Sequence, residues 1–332
     1  MESIVGESEW SCGIRKSIAQ VAGHNSTVLI TGPSGTGKEL IARAIHRHSV
    51  RHGEPFVPVD CAAIPTSLAA SQLFGHVKGA FTGAEYSSVG FFRAATDGTI
   101  FIDEIGELDY RLQAQLLRVI QERTVVPVGS HECVPVNVRI VVATNRDLTE
   151  AVRTGGFRLD LFYRLNVVPL YTQPLCDRKE DIPVLANHFL SKLSVDAGLP
   201  HKRLAGAAMT VLQQFDWPGN VRQLENVLER AVGFSEGDQI SRQLIARFLG
   251  DGEIAAPSTG FIADPDDVET EGEWPTLEQS ERDLIQRTLE HTGFQRSATA
   301  RMLQIDYRRL VRLIQKHSLE LPPPRAGKRS RS

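Results

Sequence analysis

The chain has 332 residues, of which 41% are hydrophobic and 23% are charged, and its formal net charge is −3. These values are typical of a globular protein long enough for two or three domains, and they exclude a wholly basic nucleic-acid coat. No apolar run reaches the roughly 18 to 20 residues of a membrane span, and the N-terminus lacks a signal-peptide pattern. Four widely spaced cysteines without CxxC spacing predict reduced, mostly buried thiols in a cytoplasmic protein.

Five short apolar runs alternate with helical patterns through the first half of the chain. Continuous apolarity is typical of strands that are buried on both faces, as in a parallel sheet covered by helices. The runs are 27–31, 56–59, 99–102, 138–143 and 167–170. The sequence therefore predicts a doubly wound α/β domain over residues 1–172.

The pattern becomes helical after residue 172. Residues 173–250 predict a small helical subdomain, with helices at 182–193, 205–215, 221–233 and 241–249. Residues 251–276 carry eight acidic residues and no Lys or Arg, the composition of a flexible linker. In residues 277–320 the pattern predicts three helices, at 277–290, 296–303 and 307–317, and the last two of them form a helix-turn-helix. Residues 321–332 are predicted to form a basic tail.

A glycine-rich turn follows the first predicted strand and leads into a helix, which is the context of a phosphate-binding loop. Its glycines let backbone N–H groups converge on an anion, and Lys38 adds a mobile positive charge near the β- and γ-phosphates. A plain turn is the alternative, which the register of Lys38 disfavours. Glu39 stands where Ser or Thr commonly ligates magnesium, so the metal must be held otherwise. The predicted nucleotide-binding residues are Gly32, Pro33, Ser34, Gly35, Thr36, Gly37, Lys38 and Glu39.

Asp103 and Glu104 end the third predicted strand. Since ligands lie beyond the carboxyl ends of parallel strands, both carboxylates emerge at the same edge as the glycine loop. Asp103 is placed to hold magnesium, usually through water, and Glu104 to polarise an attacking water in phosphoryl transfer. A solvated acidic strand end is the alternative interpretation.

Further polar and basic residues follow the later strands. Thr144 and Asn145 can reach the γ-phosphate or the attacking water, although their spacing fits a helix cap equally well. Arg158 and Arg164 are candidates to stabilise transition-state charge, in this or a neighbouring subunit, with surface ion pairs as the alternative. Arg222 begins a helix of the second domain, from which it could contact nucleotide across the domain boundary.

The stretch 74–84 interrupts the α/β rhythm with three glycines. Gly79 and Gly83 would each weaken a helix by about 1 kcal/mol, so the stretch is predicted to be a loop. Such a loop presents Phe81 and Thr82 to solvent, and an exposed aromatic group indicates a partner. The alternative is that Phe81 packs under the sheet.

The last predicted helix is basic, with Asp306 as its N-cap. As a recognition helix it would direct its polar side chains towards bases and phosphates. A solvated basic face is the alternative, but residues 277–332 hold twelve Lys or Arg against six Asp or Glu, which favours binding to DNA. The candidate DNA-binding residues are Tyr307, Arg308, Arg309, Arg312 and Lys316.

Together these motifs resemble those of the bacterial enhancer-binding proteins, the AAA+ activators of sigma-54 RNA polymerase. GPSGTGKE at 32–39 is similar to their Walker A motif, in which Glu39 is the usual residue. TIFIDE at 99–104 is similar to Walker B, and ATN at 143–145 to sensor I. GAFTGA at 79–84 matches the loop that touches sigma-54, and it is the most specific of these motifs.

The resemblance implies roles for the remaining residues. Arg158 and Arg164 correspond to trans-acting arginine fingers, Arg222 to sensor II, and the C-terminal segment to a Fis-type DNA-binding domain. The family implies a ring, usually a hexamer, with ATP and Mg at each subunit interface and upstream DNA as a further partner. Hydrolysis at Asp103 and Glu104 would move the loop, pull on sigma-54 and let the polymerase open promoter DNA. The sigma-54 contacts implied are Gly79, Ala80, Phe81, Thr82, Gly83 and Ala84.

Several positions depart from the family pattern. Pro33 stands where Glu is common, Arg93 where an acidic residue is common, and Gln304 where the turn usually has Gly. Asp60 occupies the place of an Asn that restrains the catalytic Glu, so we include it among the candidate catalytic residues. Residues 306–309 replace a Ser-Arg-x-Thr run, so the operator sequence cannot be carried over.

No receiver or other sensory module precedes the predicted ATPase domain, so we expect control by a separate regulatory protein or by expression level. Two other hypotheses fit parts of the pattern. One is a AAA+ remodelling or loading ATPase with a different client. The other is a DNA-binding regulator that represses by occupancy and uses ATP only to assemble.

Overall fold

A five-stranded, wholly parallel sheet lies at the centre of the first part of the chain, in the order β2-β3-β6-β1-β7. Its strands are β1 (Val28–Thr31), β2 (Phe56–Asp60), β3 (Thr99–Asp103), β6 (Arg139–Thr144) and β7 (Val168–Tyr171). β4 (Thr124–Val125) and β5 (Val134–Pro135) form a separate antiparallel hairpin. The central strands are buried on both faces, which explains their continuous apolarity. The predicted doubly wound α/β fold is confirmed.

Helices cover both faces of the sheet. Side chains alternate along each strand, so Ile30, Phe101 and Val141 pack on the face covered by α1 and α2. Leu29, Ile100 and their neighbours pack on the face covered by α3 to α7. The helices are α1 (Glu9–Ala22), α2 (Lys38–Arg47), α3 (Thr66–Phe74), α4 (Phe91–Ala94), α5 (Tyr110–Glu122), α6 (Leu148–Arg153) and α7 (Leu159–Leu165), with a 3-10 helix at Ile105–Glu107.

A helical lid follows the sheet and has a core of its own. Trp217 is 1% exposed in this core, and its indole N–H donates a 2.8 Å hydrogen bond to the carbonyl of Leu212. The lid confirms the predicted helical subdomain of the fold. It consists of a 3-10 helix (Leu175–Asp181), α8 (Ile182–Asp196), α9 (Gly206–Gln214), α10 (Asn220–Phe234) and α11 (Arg242–Gly250), with the parallel pair β8 (Arg203–Leu204) and β9 (Gln239–Ile240).

The C-terminal unit contains three helices, α12 (Leu277–His291), α13 (Arg296–Met302) and α14 (Tyr307–Lys316). α14 is strongly amphipathic and buries Leu310 and Ile314 against the other two helices. The side chain of Asp306 accepts a 2.7 Å hydrogen bond from the backbone N–H of Arg308, the arrangement of an N-cap. A C-terminal helix-turn-helix fold is therefore confirmed.

This computed structural model describes residues 4–196, 198, 200, 202–235, 237–250, 277–292, 294, 296–303 and 305–317. The chain divides into two units, Met1–Ala256 and Pro257–Ser332, which are described separately. The predicted linker 251–276, the tail 321–332 and Gln304 lie outside the described residues. Within the described ranges, no helix combines the length and the apolarity that crossing a membrane requires.

The four cysteines are all unpaired, but the prediction that they are mostly buried was wrong. Only Cys61 is buried, whereas Cys12 and Cys133 are exposed and Cys176 is intermediate. Burial, together with nearby carboxylates, raises the pKa of the Cys61 thiol to about 12. Wide sequence spacing carries no information about burial, which explains the error.

Candidate nucleotide-binding site

The phosphate loop lies between β1 and α2, at the carboxyl end of the sheet. Gly37 is the N-cap of α2 in the left-handed region (φ 98°), so the first turn of the helix faces the loop. Gly35 also has a positive φ of 75°, and a Cβ there would overlap the carbonyl oxygen of Gly219 in the lid. The loop therefore requires glycine both for its backbone shape and for close contact with the lid.

Lys38 is 6% exposed, and its ammonium group is held over the loop. The Nζ atom donates to the carbonyl oxygens of Gly32 at 3.0 Å and Pro33 at 3.2 Å, and it lies 4.0 Å from Oε1 of Glu104. Burial lowers the pKa of Lys38, and the nearby Glu104 and Asp103 act in the opposite direction. A bound phosphate would supply the strong negative charge that this buried cation lacks.

Three carboxylates gather at the adjoining strand ends. Asp60 and Asp103 are paired in register on β2 and β3, and Glu104 follows with a positive φ of 47°. The Oδ1 atom of Asp103 accepts a 2.9 Å hydrogen bond from the backbone N–H of Glu104. Burial raises the pKa of Asp103, whereas this hydrogen bond and the charge of Lys38 lower it. The Asp60 carboxylate accepts from the N–H of Ala62 at 2.9 Å.

Thr144, the last residue of β6, and Asn145, which follows it, form different hydrogen bonds. Thr144 is fully buried, and its hydroxyl oxygen accepts from the backbone N–H of Arg146 at 3.1 Å. Asn145 donates its backbone N–H to Oε2 of Glu104 at 3.1 Å, which fixes the Glu104 carboxylate. Asp147, rather than either of these residues, is the N-cap of α6.

Arg158 and Arg164 do not line the cavity that the other candidates share. Arg158 forms a 2.7 Å ion pair with Asp160, and its guanidinium carbon lies 5.2 Å from the ring centre of Tyr110. Arg164 is exposed on α7. Neither arginine therefore reaches the phosphate loop of its own chain.

The lid closes the other side of the phosphate loop. The backbone N–H of Arg222 donates to the carbonyl of Gly35 at 3.3 Å, and the amide of Asn220 donates to the carbonyl of Ser34 at 2.9 Å. A cavity of about 500 Å³ lies between loop and lid. Its lining includes most of the predicted residues, namely Ser34, Gly35, Gly37, Lys38, Glu39, Asp60, Asp103, Glu104 and Arg222.

The donor set of this cavity fits a Mg²⁺ ion that is brought in with a nucleotide. Mg²⁺ binds proteins through one or two carboxylates, together with substrate phosphates and water. Among the described residues, no group of three or more His, Cys, Asp or Glu side chains could form a complete metal cage. Asp103 offers one partly buried carboxylate beside Lys38, whereas Glu39 is engaged by Nε of Arg43 at 2.9 Å.

The predicted loop 74–84 begins with Phe74, the last residue of α3, and its remaining residues lie between α3 and α4 outside any helix. The N–H of Gly79 donates to the carbonyl of Ala84 at 2.9 Å, which closes the tip. Phe81 is 40% exposed at this tip, and its ring lies 5.1 Å from that of His76. The strand-like bridge of His76 to Ser88 closes the base of the loop, and its bridge to Val128 ties this base to the segment joining β4 and β5.

Three family models match the chain in tandem. Residues 4–171 match the Sigma-54 interaction domain, residues 176–259 the AAA+ ATPase lid domain, and residues 276–317 the bacterial regulatory protein, Fis family. The first match alone spans about half of the chain. This chain belongs to the sigma-54-dependent transcriptional activators. It carries a AAA+ ATPase domain and a Fis-type helix-turn-helix domain.

Individual sigma-54 activators resemble most of the chain. The response regulator protein PilR of Pseudomonas aeruginosa is 45% identical over 307 residues, which cover 92% of this chain and 67% of PilR. The regulatory protein AtoC of Escherichia coli is 44% identical over 312 residues, which cover 92% of this chain and 66% of AtoC. The chain thus spans about two thirds of the length of these relatives.

Solved structures support the same assignment. NtrX from Brucella abortus in complex with ADP has 33% sequence identity and a TM-score of 0.70, covering 96% of this chain and 70% of that chain. The same protein in complex with ATP has 31% identity and a TM-score of 0.70.

Sequence reasoning missed an apolar pocket beside the phosphate loop of this activator. The pocket, of about 70 Å³, is lined by Thr36 and Gly37 of the loop, by Trp10 of α1, and by His188 and Phe189 of α8. A flat, apolar nucleoside base suits such a lining better than a phosphate does. The helical spacing of residues 182–193 predicted only a helix of the second subdomain, so no local signal marked the pocket.

Proposed function

We propose that this chain hydrolyses ATP in a ring of its own copies and remodels sigma-54 RNA polymerase through the 79–84 loop, while its C-terminal domain binds upstream DNA. The loop is the observation that carries the proposal. Its GAFTGA sequence is presented with Phe81 exposed at the tip, on the same α/β domain as the nucleotide cavity. An aromatic residue kept partly in solvent is suited to a transient protein contact.

In the proposed hydrolysis, the N–H groups of the loop and Lys38 bind the β- and γ-phosphates. Asp103 would hold Mg²⁺, which neutralises phosphate charge when it is bound. Glu104 orients a water molecule and accepts its proton as the water oxygen bonds to the γ-phosphorus and the bridging oxygen leaves with ADP. The hydrogen bond from Asn145 and the nearby ammonium of Lys38 support this role, because they keep the Glu104 carboxylate at the cavity.

Arg158 and Arg164 are proposed to act on the nucleotide of a neighbouring copy. Both lie outside the cavity of their own chain, and Arg164 is exposed, so an adjacent protomer could receive a guanidinium at its γ-phosphate. Arg222 is proposed to contact the phosphates from the lid, since it lines the same cavity as Lys38. Arginines supplied in trans require a neighbouring copy, and the family resemblance gives a ring of six copies as the expected assembly.

A short route of one hydrogen bond and the following chain segment connects Asp103 to the loop. The N–H of Cys61, directly after β2, donates to the carbonyl of Asp103 at 3.1 Å. Cys61 leads through α3 into the loop that begins at Gly75. A rearrangement around Asp103 and Glu104 on hydrolysis would therefore displace α3 and, with it, Phe81.

Binding to DNA is proposed for the exposed face of α14. Tyr307, Arg308, Arg309 and Arg312 are all exposed, and Arg308 and Arg312 lie on the side of the helix opposite Leu310. Lys316 lies 3.7 Å from Glu281 of α12, so its charge is partly neutralised within the domain. We therefore expect the three arginines to contribute more to phosphate binding than Lys316 does.

The experiment that tests the proposal is the substitution Phe81→Ala. We expect ATP turnover within about twofold of wild type, because Phe81 does not line the cavity, and loss of sigma-54-dependent open complexes. The matched control is Tyr86→Ala, which removes a 79% exposed aromatic ring just outside the motif and should leave both activities intact. Open complexes formed at the wild-type rate by the Phe81→Ala protein would refute the role of the loop.

A further inference from the structure

Asp181, at the end of the 3-10 helix that begins the lid, is a fully buried carboxylate. Its Oδ1 atom accepts from the backbone N–H groups of Glu7 and Ser8, at 2.7 Å each. Its Oδ2 atom accepts from the hydroxyls of Ser8 at 2.8 Å and Ser11 at 2.7 Å. Four donors from the segment around the start of α1 thus converge on one lid carboxylate.

Burial would by itself raise the pKa of Asp181, but the hydrogen bonds from Ser11, Ser8 and Glu7 outweigh it and lower the pKa. The carboxylate is therefore ionised at neutral pH. A buried anion that accepts four hydrogen bonds holds its donors strongly, because each bond is charge-assisted. The segment 4–11 is consequently fastened to the lid through Asp181.

Arg178 connects this point to the phosphate loop. It is 3% exposed, and its Nη1 atom lies 3.8 Å from Oδ2 of Asp181. Its Nη2 atom donates to the backbone carbonyl of Thr36 at 3.3 Å, and its guanidinium carbon lies 4.2 Å from the ring centre of Trp10. One guanidinium therefore contacts the lid, the phosphate loop and α1.

This junction borders the proposed nucleotide site, and its guanidinium is incompletely hydrogen-bonded. Ile4, Val5 and Trp10 line the apolar pocket beside Thr36, and Arg178 lines the same pocket. The Nε atom of Arg178 is buried and has no hydrogen-bond partner. A buried, incompletely satisfied guanidinium keeps its position only while its neighbours hold it, so its position depends on the docked segment.

We propose that Arg178 and Asp181 are positioning residues that couple the docking of segment 4–11 to nucleotide binding at the phosphate loop. Because coupling between two sites is reciprocal, nucleotide binding stabilises the docked segment, and docking raises the affinity for nucleotide. The segment ahead of α1 thereby becomes a control point, through which any partner that detaches it would weaken nucleotide binding. This inference rests on the proposed nucleotide site.

The first test measures ADP affinity by calorimetry in the full chain. We expect Asp181→Asn and Ser11→Ala to weaken ADP binding, by about tenfold for the former, within the typical range of allosteric coupling. Gly6→Ala should act in the same direction without removing a polar group, because a Cβ there would overlap the hydroxyl of Ser11. The matched control is Asp216→Asn, which removes the 2.9 Å ion pair between the exposed Asp216 and Lys179 of the same 3-10 helix. This change should leave the ADP affinity unchanged.

The second test separates coupling from a merely structural role. Hydrogen exchange of residues 4–11 is followed with and without ADP, and we expect ADP to slow exchange in wild type but not in Asp181→Asn or Ser11→Ala. If Asp181→Asn fails to fold, the ADP affinity of Ser11→Ala and the effect of ADP on hydrogen exchange in the wild-type protein decide between coupling and a merely structural role. Wild-type ADP affinity in Ser11→Ala and Gly6→Ala, or exchange that ADP does not change, overturns the coupling. A wild-type protein that binds no ADP would instead refute the proposed function.

Discussion

The phosphate loop and the 79–84 loop are both rich in glycine, but they require it for different reasons. In the phosphate loop, a Cβ at Gly32 would overlap Thr172 and one at Gly35 would overlap Gly219, so the glycines allow close packing. At Gly79 and Gly83 no atom lies within 4 Å of the place where a Cβ would be, and both have positive φ. These glycines serve only the backbone conformation of an open loop.

The difference separates an enclosed binding site from an exposed loop, which we propose to move during hydrolysis. Lys38 and Thr36 are buried, and the phosphate loop is bonded to the lid through Asn220. Phe81, by contrast, lies beside the ring of His76 and remains 40% exposed. Tight enclosure suits a site that discriminates bound states, and loose attachment suits a loop that must leave its resting place.

The largest effect is expected from Glu104→Gln, which should stop ATP hydrolysis while the enclosed phosphate loop stays intact. Loss of the base should reduce ATP turnover by about 10²- to 10⁴-fold, whereas ATP affinity should be retained because Lys38 and the loop remain. Turnover and equilibrium binding of ATP provide the check. Normal promoter control by this variant would favour the alternative in which ATP serves only for assembly.

A smaller effect is expected from Gly35→Ala, which tests the close packing directly. The added Cβ and the positive φ of 75° should together cost about 3 kcal/mol, and ATP affinity should fall about 100-fold. The matched control is Gly83→Ala, which has a comparable backbone strain at φ 98° but open space around it. Equal losses of ATP affinity in the two variants would contradict the distinction between the loops.

The smallest effect concerns stability and pH. Burial raises the pKa of Asp103 above its ordinary value of 3.8, so the folded protein binds this proton more tightly than the unfolded chain does. The ionised carboxylate therefore destabilises the fold at neutral pH, and the penalty disappears as pH falls through the raised pKa.

Asp103→Asn should accordingly raise the Tm of the nucleotide-free protein at about pH 7, by an amount that shrinks at lower pH. Thermal melts across this pH range provide the measurement. As a control, Asp109→Ala removes an N-cap that accepts from the N–H groups of Arg111 and Leu112, and it should lower stability by about 1 kcal/mol. A lower Tm for Asp103→Asn at neutral pH would contradict the assigned direction of the pKa.

The sequence predicted the helices that have a periodic apolar pattern and the strands that have a continuous apolar run. The predicted strand 99–102 is observed as Thr99–Asp103, and the predicted helix 307–317 as Tyr307–Lys316. The hairpin of β4 and β5 was missed, because two-residue strands have no period to detect.

Long-range contacts of the site were equally invisible in the sequence. Asp181 contacts Ser8 across 173 positions, and nothing near either residue indicates the other. His188 and Phe189 read as one face of an ordinary helix, although they line the pocket beside the phosphate loop. Local composition predicts elements and motifs, whereas the pairing of distant polar groups is decided only when the domain packs.

The most direct test of the account is the binding of purified sigma-54 to this chain in defined nucleotide states. We predict stable binding only with an ATP transition-state mimic, and loss of that binding in Phe81→Ala but not in Tyr86→Ala. Sigma-54 binding that is absent in every nucleotide state, or equally strong without nucleotide, would contradict the coupling of the enclosed site to the exposed loop.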